Sequence, residues 1–293
     1  MDILVIGSGP AGVSAALYAR RAGAEVTVVS RGSGALAKAE KIENYYGLAA
    51  PVTGAELEAN GIAGAKRLGV HFAEGEVVGL AMNDDFTGLV AQTPDQVFEA
   101  KAVVLAAGST RLAPKIPGLK ELEGKGVSYC AICDAFFYRN KTVAVLGEGD
   151  YALHEAEILL PHAGKVMLFT NGKEPLVEIP AAIEVHKEKV TAVESEKDGG
   201  MERVSGLRTE DGAVTPVNGL FVALGTAGSV DLARKIGAGT ENNRIVTEPD
   251  MATNVPGLYA AGDCTGGLLQ VVKAAYEGAV AGLAAAKYVR SLK

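Results

Sequence analysis

Short, nearly unbroken apolar runs recur along this chain, and most of them end on glycine. Ile3 to Ile6 is such a run and predicts a short buried strand. It leads into Gly7-Ser8-Gly9-Pro10-Ala11-Gly12, then a helical stretch from Val13 to Arg21 that Gly23 ends, then a second apolar run from Val26 to Val29. The same order returns later. Val143 to Leu146 predicts a strand, Gly147-Glu148-Gly149-Asp150-Tyr151-Ala152 a turn, Leu153 to Leu160 a helix ended by Pro161, and Val166 to Phe169 the next strand. Further strand-like runs, Ala102–Ala106 and Leu220–Leu224, each finish near a glycine, Gly108 and Gly225.

The strand–turn–helix–strand context makes the glycine spacing informative. The first glycine permits a tight turn, the second lets backbone approach a pyrophosphate, and the third lets the helix pack on the strand. Phosphates then meet the free N–H groups and the dipole of a helix N-terminus. Two such units about 140 residues apart predict an α/β protein with two Rossmann-like, doubly wound domains. Pro114 and Pro117 mark one linker and Gly225 to Gly228 the other. The first domain is therefore expected to be discontinuous, residues 1–113 with 226–293, and the second, residues 114–225, inserted into it.

Composition narrows the reading. The 293 residues are 48% hydrophobic and 22% charged, an ordinary globular balance. A net charge of −7 gives no reason to expect nucleic acid or an anionic membrane as partner. No apolar run approaches the ~18 residues of a spanning helix. The opening residues have no basic segment ahead of the first apolar run, so they read as a strand and not as a secretion signal. Three cysteines leave one unpaired if the other two bond, which fits a reducing cytosol and predicts a cytoplasmic protein.

Two of those cysteines carry the chemistry. In Cys130-Ala131-Ile132-Cys133-Asp134 the pair can close and reopen a small disulfide ring, exchanging two electrons with a partner. Asp134 is placed to supply or hold the accompanying proton. A zinc site is disfavoured, because only Cys264 and four scattered histidines remain to complete four ligands. No metal is expected.

The ordered set of Gly7–Gly12, Ile42-Glu43-Asn44-Tyr45-Tyr46-Gly47, Ala107-Gly108, Cys130–Asp134, Gly147–Ala152 and Ala260-Ala261-Gly262-Asp263-Cys264 resembles the low-molecular-weight thioredoxin reductases, two-domain flavoproteins, over nearly the whole chain. The resemblance implies FAD on the first domain, a mobile second domain carrying the cysteine pair, thioredoxin or a thioredoxin-like protein as target, and a homodimer. It places Gly7, Ser8, Gly9, Pro10, Ala11 and Gly12 around the FAD pyrophosphate, Asn44 near the flavin, and Asp263, after Gly262, on a ribityl hydroxyl. Gln270 and Val271 would offer backbone N–H groups to the flavin from a helix start. Ser30, Arg31, Ala35, Leu36, Val77, Ala107 and Gly108 complete the implied cofactor set. Ser30-Arg31 stands where the family ends its second strand on an acidic residue that binds the adenosine ribose, and Gly34-Ala35-Leu36 where it has Gly-Gln-Leu. Cys264 reads as a small buried side chain. By the same resemblance Cys133 is the flavin-proximal sulfur, Cys130 the one that attacks thioredoxin, and Asp134 the acid.

The second turn departs from the family's NADPH-using members. Glu148 sits inside it, Tyr151 replaces a small residue, and Asn171-Gly172 stands where paired arginines would grip a 2′-phosphate. Like charges ~4 Å apart cost about 4 kcal/mol at intermediate dielectric. Lys173 is the one nearby cation. The chain looks most like the flavin-containing, ferredoxin-dependent thioredoxin reductases, through Ser128 to Asp134 and Phe136-Phe137-Tyr138-Arg139-Asn140. That resemblance implies ferredoxin as donor. A conventional NAD(P)H-dependent reductase is the alternative, with a redox sensor that does not turn over as a more distant one. Phe136, Phe137 and Tyr138 are expected to pack the start of the second domain, with thioredoxin docking as the minority reading. Lys38 and Lys41 read as solvated surface rather than a ferredoxin-docking patch.

Overall fold

The computed structural model describes residues 1–108 and 114–292, the side chain of residue 198 excepted. The domain boundary expected at residue 113 lies outside the described residues. The chain divides into two compact units, Met1–Thr110 with Gly228–Lys293, and Arg111–Ala227.

The first unit begins with β1 (Ile3–Ile6), α1 (Pro10–Arg21), β2 (Val26–Ser30), α2 (Gly54–Arg67) and β3 (His71–Glu74). A three-stranded antiparallel sheet follows, β4 (Gly79–Met82), β5 (Leu89–Gln92) and β6 (Val97–Ala100), and then β7 (Ala102–Leu105). The second unit holds β8 (Val127–Ser128), α3 (Ala131–Asp134), β9 (Thr142–Leu146), α4 (Asp150–Leu159), β10 (Lys165–Phe169) and β11 (Ile183–His186). Its own antiparallel sheet is β12 (Val190–Asp198), β13 (Met201–Thr209) and β14 (Val214–Pro216), and β15 (Gly219–Val222) ends it. The chain then returns to the first unit with α5 (Ser229–Lys235), β16 (Leu258–Ala260) and α6 (Val271–Ser291).

Each unit is built on a five-stranded parallel sheet, in the orders β16-β7-β1-β2-β3 and β11-β10-β9-β15-β8. The fold is therefore α/β with two Rossmann-like sheets. In the first sheet the order reverses between β1 and β7, and in the second between β9 and β15. Crevices at such switch points, beyond the carboxyl ends of the strands, are where α/β sheets take ligands. Both glycine turns sit there.

The apolar runs are continuous because the parallel strands are buried on both faces. Ile3, Val5, Val28 and Val104 are fully buried, as are Val145, Leu146 and Leu220 in the second unit. Each such side chain stabilises the fold by roughly 1.5–3 kcal/mol. Alanines 15, 16 and 19 of α1 face Ala281, Ala285 and Ala286 of α6 in the first core. Small residues are obligatory there. A Cβ on Gly278 would lie 2.1 Å from the Ala11 carbonyl oxygen, and one on Gly282 would lie 2.2 Å from that of Ala15. α1 thus packs on α6 backbone against backbone, which fixes where its N-terminus points. Among the described residues no helix is long and apolar enough to cross a membrane.

Candidate functional site

The first glycine turn is a backbone device. Gly7 adopts φ 110°, a conformation that disfavours any side chain. Its N–H donates to the Val29 carbonyl at 2.8 Å, and a Cβ on it would lie 2.4 Å from the Ala106 carbonyl oxygen on the neighbouring strand. A Cβ on Gly12 would strike the Gly7 carbonyl oxygen at 1.9 Å, whereas one on Gly9 would meet nothing within 4 Å. The first and third glycines are thus required by packing, and the second leaves an open face. Helix α1 starts there with Pro10 in its first turn, no side-chain cap on its N-terminal N–H groups and no acidic residue in that turn. Its positive dipole end is uncompensated, and the turn can hold a diphosphate.

A cavity of about 420 Å³ meets this turn at Ser8, Gly9 and Pro10 and extends along α1 to Tyr45, Glu58, Val271 and Tyr276. A second, of about 330 Å³, is lined by Asn44, Tyr45, Leu268, Gln270 and Val271. The Asn44 side-chain amide donates to the Gln270 Oε1 at 3.3 Å, and α6 begins at Val271 with Gln270 as its N-cap. Asn44, Gln270 and Val271 are therefore brought together. The other expected cofactor residues are more dispersed. Ser30 ends β2, and the Arg31 guanidinium is tied to the Glu76 carboxylate at 3.0 Å beside buried Val77. Ala35 and Leu36 form the start of a single 3₁₀ turn. The Ala107 N–H donates to the Ser229 hydroxyl at 2.9 Å, and Gly108 takes φ 74°. Gly262 has φ 88°, and Asp263 opens a short 3₁₀ turn.

Sequence reasoning missed several residues that shape this site. Glu58 is buried and accepts the Gly34 N–H. Lys273 and Glu277, one turn apart on α6, grip the Gly262 loop. Glu277 accepts the Gly262 N–H at 2.9 Å, and Lys273 donates to the Gly262 carbonyl at 2.7 Å. Their i,i+4 spacing was the available signal.

Cys130 and Cys133 are joined as a disulfide with their Cα atoms 5.3 Å apart. Cys130 is buried and caps α3, its Sγ accepting the Cys133 N–H at 3.3 Å, while Cys133 is exposed and Asp134 half-buried. Ile132, Phe136 and Phe137 are all more than half exposed around the pair. This corrects the expectation that the aromatic trio packs the second domain. Only Tyr138 does so, edge-on against Phe221, with its hydroxyl reaching the Gly126 carbonyl. Burial and then the charge of Asp134 push its phenol above the usual value. Phe136 instead lies under the Arg139 guanidinium at 5.5 Å. Cys264 is fully buried, as expected, and burial pushes its thiol up to about 12. Among the described residues no group of His, Cys, Asp and Glu converges to hold a metal.

The second turn keeps the scaffold and fills it differently. Gly147 again ties back to the strand after the helix, its N–H donating to the Phe169 carbonyl at 2.9 Å, and a Cβ on it would lie 2.2 Å from the Ala223 carbonyl oxygen. Glu148, however, is buried and paired with the ammonium of Lys173. Its carbonyl accepts the Leu176 N–H at 2.7 Å, so the segment after β10 is drawn onto the turn. Lys173, read from sequence as the cation near a nucleotide, is committed to Glu148. Asp150 adds a second carboxylate at the first position of α4, and Tyr151 is buried.

A family model described as pyridine nucleotide-disulphide oxidoreductase matches residues 1–279. The chain belongs to that family. Within it, its homologues include the thioredoxin reductase of Aquifex aeolicus, 36% identical with 100% of this chain and 94% of the relative covered. Among solved structures it resembles the atypical thioredoxin reductase TRi from Desulfovibrio vulgaris Hildenborough, at 38% identity, TM-score 0.91 and coverage of 99% and 98%. It also resembles a ferredoxin-flavin thioredoxin reductase from Clostridium acetobutylicum, at 31% identity, TM-score 0.72 and the same coverage.

Proposed function

We propose that this chain is a flavin-dependent thioredoxin reductase that takes its electrons from ferredoxin and not from a nicotinamide nucleotide. The observation that carries the donor assignment is the Glu148–Lys173 pair inside the second glycine turn. A dinucleotide there would bring its phosphates against two carboxylates, Glu148 and Asp150, with the nearby cation already engaged. The likeness to the Clostridium acetobutylicum ferredoxin-flavin enzyme supports the same reading.

The first turn fits FAD by its own geometry: an open face at Gly9, an uncompensated helix end, and an adjoining cavity. Gly7, Ser8, Gly9, Pro10, Ala11 and Gly12 would hold the diphosphate. Asn44, Asp263, Gln270 and Val271 would orient the ring and ribityl ends, and Ser30, Arg31, Ala35, Leu36, Val77, Ala107, Gly108 and Gly262 would border the remainder. When bound, FAD would supply reducing equivalents gathered singly from an iron–sulfur donor and delivered as a pair.

The chain's own residues do the rest. Two electrons and two protons convert the Cys130–Cys133 disulfide into a dithiol. The Cys130 thiolate then attacks the disulfide of a thioredoxin-like protein, forming a mixed disulfide, and Asp134 protonates the departing thiolate. Cys133 next attacks the Cys130 sulfur, which restores the intramolecular disulfide and releases reduced thioredoxin. Cys130 is buried in the disulfide form, so this order requires it to become accessible once reduced. Exposed Ile132, Phe136 and Phe137 offer the target an apolar rim beside the sulfurs. A homodimer, which the family resemblance implies, is part of the proposal. A reducing cytoplasm is its expected setting.

The test is anaerobic turnover of purified protein with oxidised thioredoxin, supplied separately with reduced ferredoxin, NADPH and NADH. Ferredoxin is expected to sustain thioredoxin reduction and the two nucleotides are not. Comparable turnover with NADPH would reject the donor assignment, and no turnover with any donor would reject the enzyme reading.

A further inference from the structure

Tyr151 marks a departure whose chemistry the donor question does not absorb. It stands on α4, the helix whose N-terminus would face a nucleotide in a working second turn, yet it points away from solvent and is 2% exposed. Its hydroxyl donates to the carbonyl of Tyr129 at 3.5 Å. One helical turn on, Glu155 is 1% exposed and accepts the N–H of Ala131 at 2.7 Å. Residues four apart share one helix face. The two side chains therefore reach the peptide groups immediately before and immediately after Cys130.

Cys130 lies between those contacts in an extended conformation, φ −149° and ψ 100°. From it the chain enters the single turn of α3 that brings Cys133 back to bonding distance. Ser128 completes the grip from the N-terminal side, its hydroxyl accepting the Cys130 N–H at 3.1 Å. Without such anchors a four-residue loop that contains exposed Ile132 and leads to exposed Phe136 samples many backbone states, and the two sulfurs meet less often. Holding them in place raises the effective concentration of one thiol at the other.

We infer that Tyr151 and Glu155 are positioning residues of the redox pair, so that one face of α4 serves the disulfide loop. They act through the backbone on either side of Cys130 and shift the dithiol–disulfide equilibrium toward the disulfide. The inference rests on the proposed exchange at Cys130–Cys133, but not on which donor feeds it.

The test is equilibration of the full-length protein in graded mixtures of reduced and oxidised dithiothreitol, quenched in acid and read by alkylation of free thiols. In this exchange the Cys130–Cys133 bond breaks, the two sulfurs gain two electrons and two protons from the reagent dithiol, and the reagent closes to its cyclic disulfide. Glu155→Ala is expected to move the equilibrium about tenfold toward the dithiol, about 30 mV less negative for a two-electron couple. Tyr151→Phe is expected to move it about threefold in the same direction. Glu155→Gln retains a side-chain oxygen to accept the Ala131 N–H and stays within about twofold of wild type. Tyr151→Phe equal to wild type overturns the inference, as does Glu155→Gln shifting as far as tenfold or any variant moving toward the disulfide. Tyr151→Phe and Glu155→Gln decide the matter even if Glu155→Ala does not fold. Wild-type protein that fails to reduce thioredoxin would instead reject the proposed function and leave these equilibria measurable.

Discussion

The two glycine turns of this chain share a scaffold and differ in what they leave free. Gly7 and Gly147 each donate to the strand that follows the helix, and each sits too close to a neighbouring carbonyl to carry a side chain. Beyond that the turns diverge. Gly7 takes a left-handed φ of 110° and Gly147 takes no such value. Gly12 must be glycine, while Ala152 at the matching position is fully buried and tolerated. The first helix opens on proline with its N–H groups uncompensated, and the second opens on Asp150 behind a buried glutamate. On the proposed reading, a glycine turn at the switch point of a parallel sheet does not by itself make a nucleotide site, and the charges of a few side chains at the helix end decide.

Replacing Cys130 and Cys133 with serine should lower thioredoxin reduction by more than about a thousandfold, because the relay acts as a unit. The flavin content, read by absorbance, should stay unchanged. Next in size, Gly12→Ala should cost several kcal/mol, of the order of severe overpacking, and release FAD. The mirror change, Ala152→Gly, should cost about 1 kcal/mol, the price of glycine in a helix. Thermal denaturation and bound-flavin absorbance separate these outcomes, and equal costs would mean the turns do not differ as described. Glu148→Gly removes one carboxylate and releases Lys173. Affinity for NADPH should rise at least about tenfold, or 1.4 kcal/mol, by equilibrium dialysis. No gain would mean that shape and not charge closes the second turn.

The smallest effect concerns the buried thiol. Burial raises the Cys264 pKa from 9.0 to about 12, so the folded state favours the neutral form. The stability this supplies is complete below pH 9 and is lost as pH rises toward about 12. Cys264→Ala should flatten the fall in denaturation midpoint across that window, and below it Cys264 should resist alkylation in the native protein.

Much of this architecture was legible in the chain because parallel strands are written as continuous apolar runs. β1 spans Ile3–Ile6, where the pattern puts it, and β2, β9 and β10 differ from expectation by a residue at one end. Helix α4 starts at Asp150, three residues before the Leu153 start that the pattern predicts, since an acidic first turn carries no apolar periodicity. Helix α2 gave little signal because Gly61 and Gly64 interrupt its pattern, although Thr53 and Glu56 form a reciprocal cap at its start. The antiparallel strands between Gly79 and Ala100 are four residues each, too short for a period-two pattern to stand out. At the site, spacing exposed the disulfide and both turns. It could not show that Lys173 turns inward to Glu148, that Phe136 and Phe137 face solvent, or that Glu155 reaches the disulfide loop. Those outcomes depend on which face of an element meets which neighbour, a tertiary fact that no local pattern encodes.

The most direct test of the contrast between the turns is to measure nucleotide occupancy in one preparation. The account predicts FAD in equimolar amount with the chain, released only on unfolding, and NADPH binding too weak to saturate at millimolar concentration. Micromolar binding of NADPH, or rapid bleaching of the flavin by it, would contradict the account.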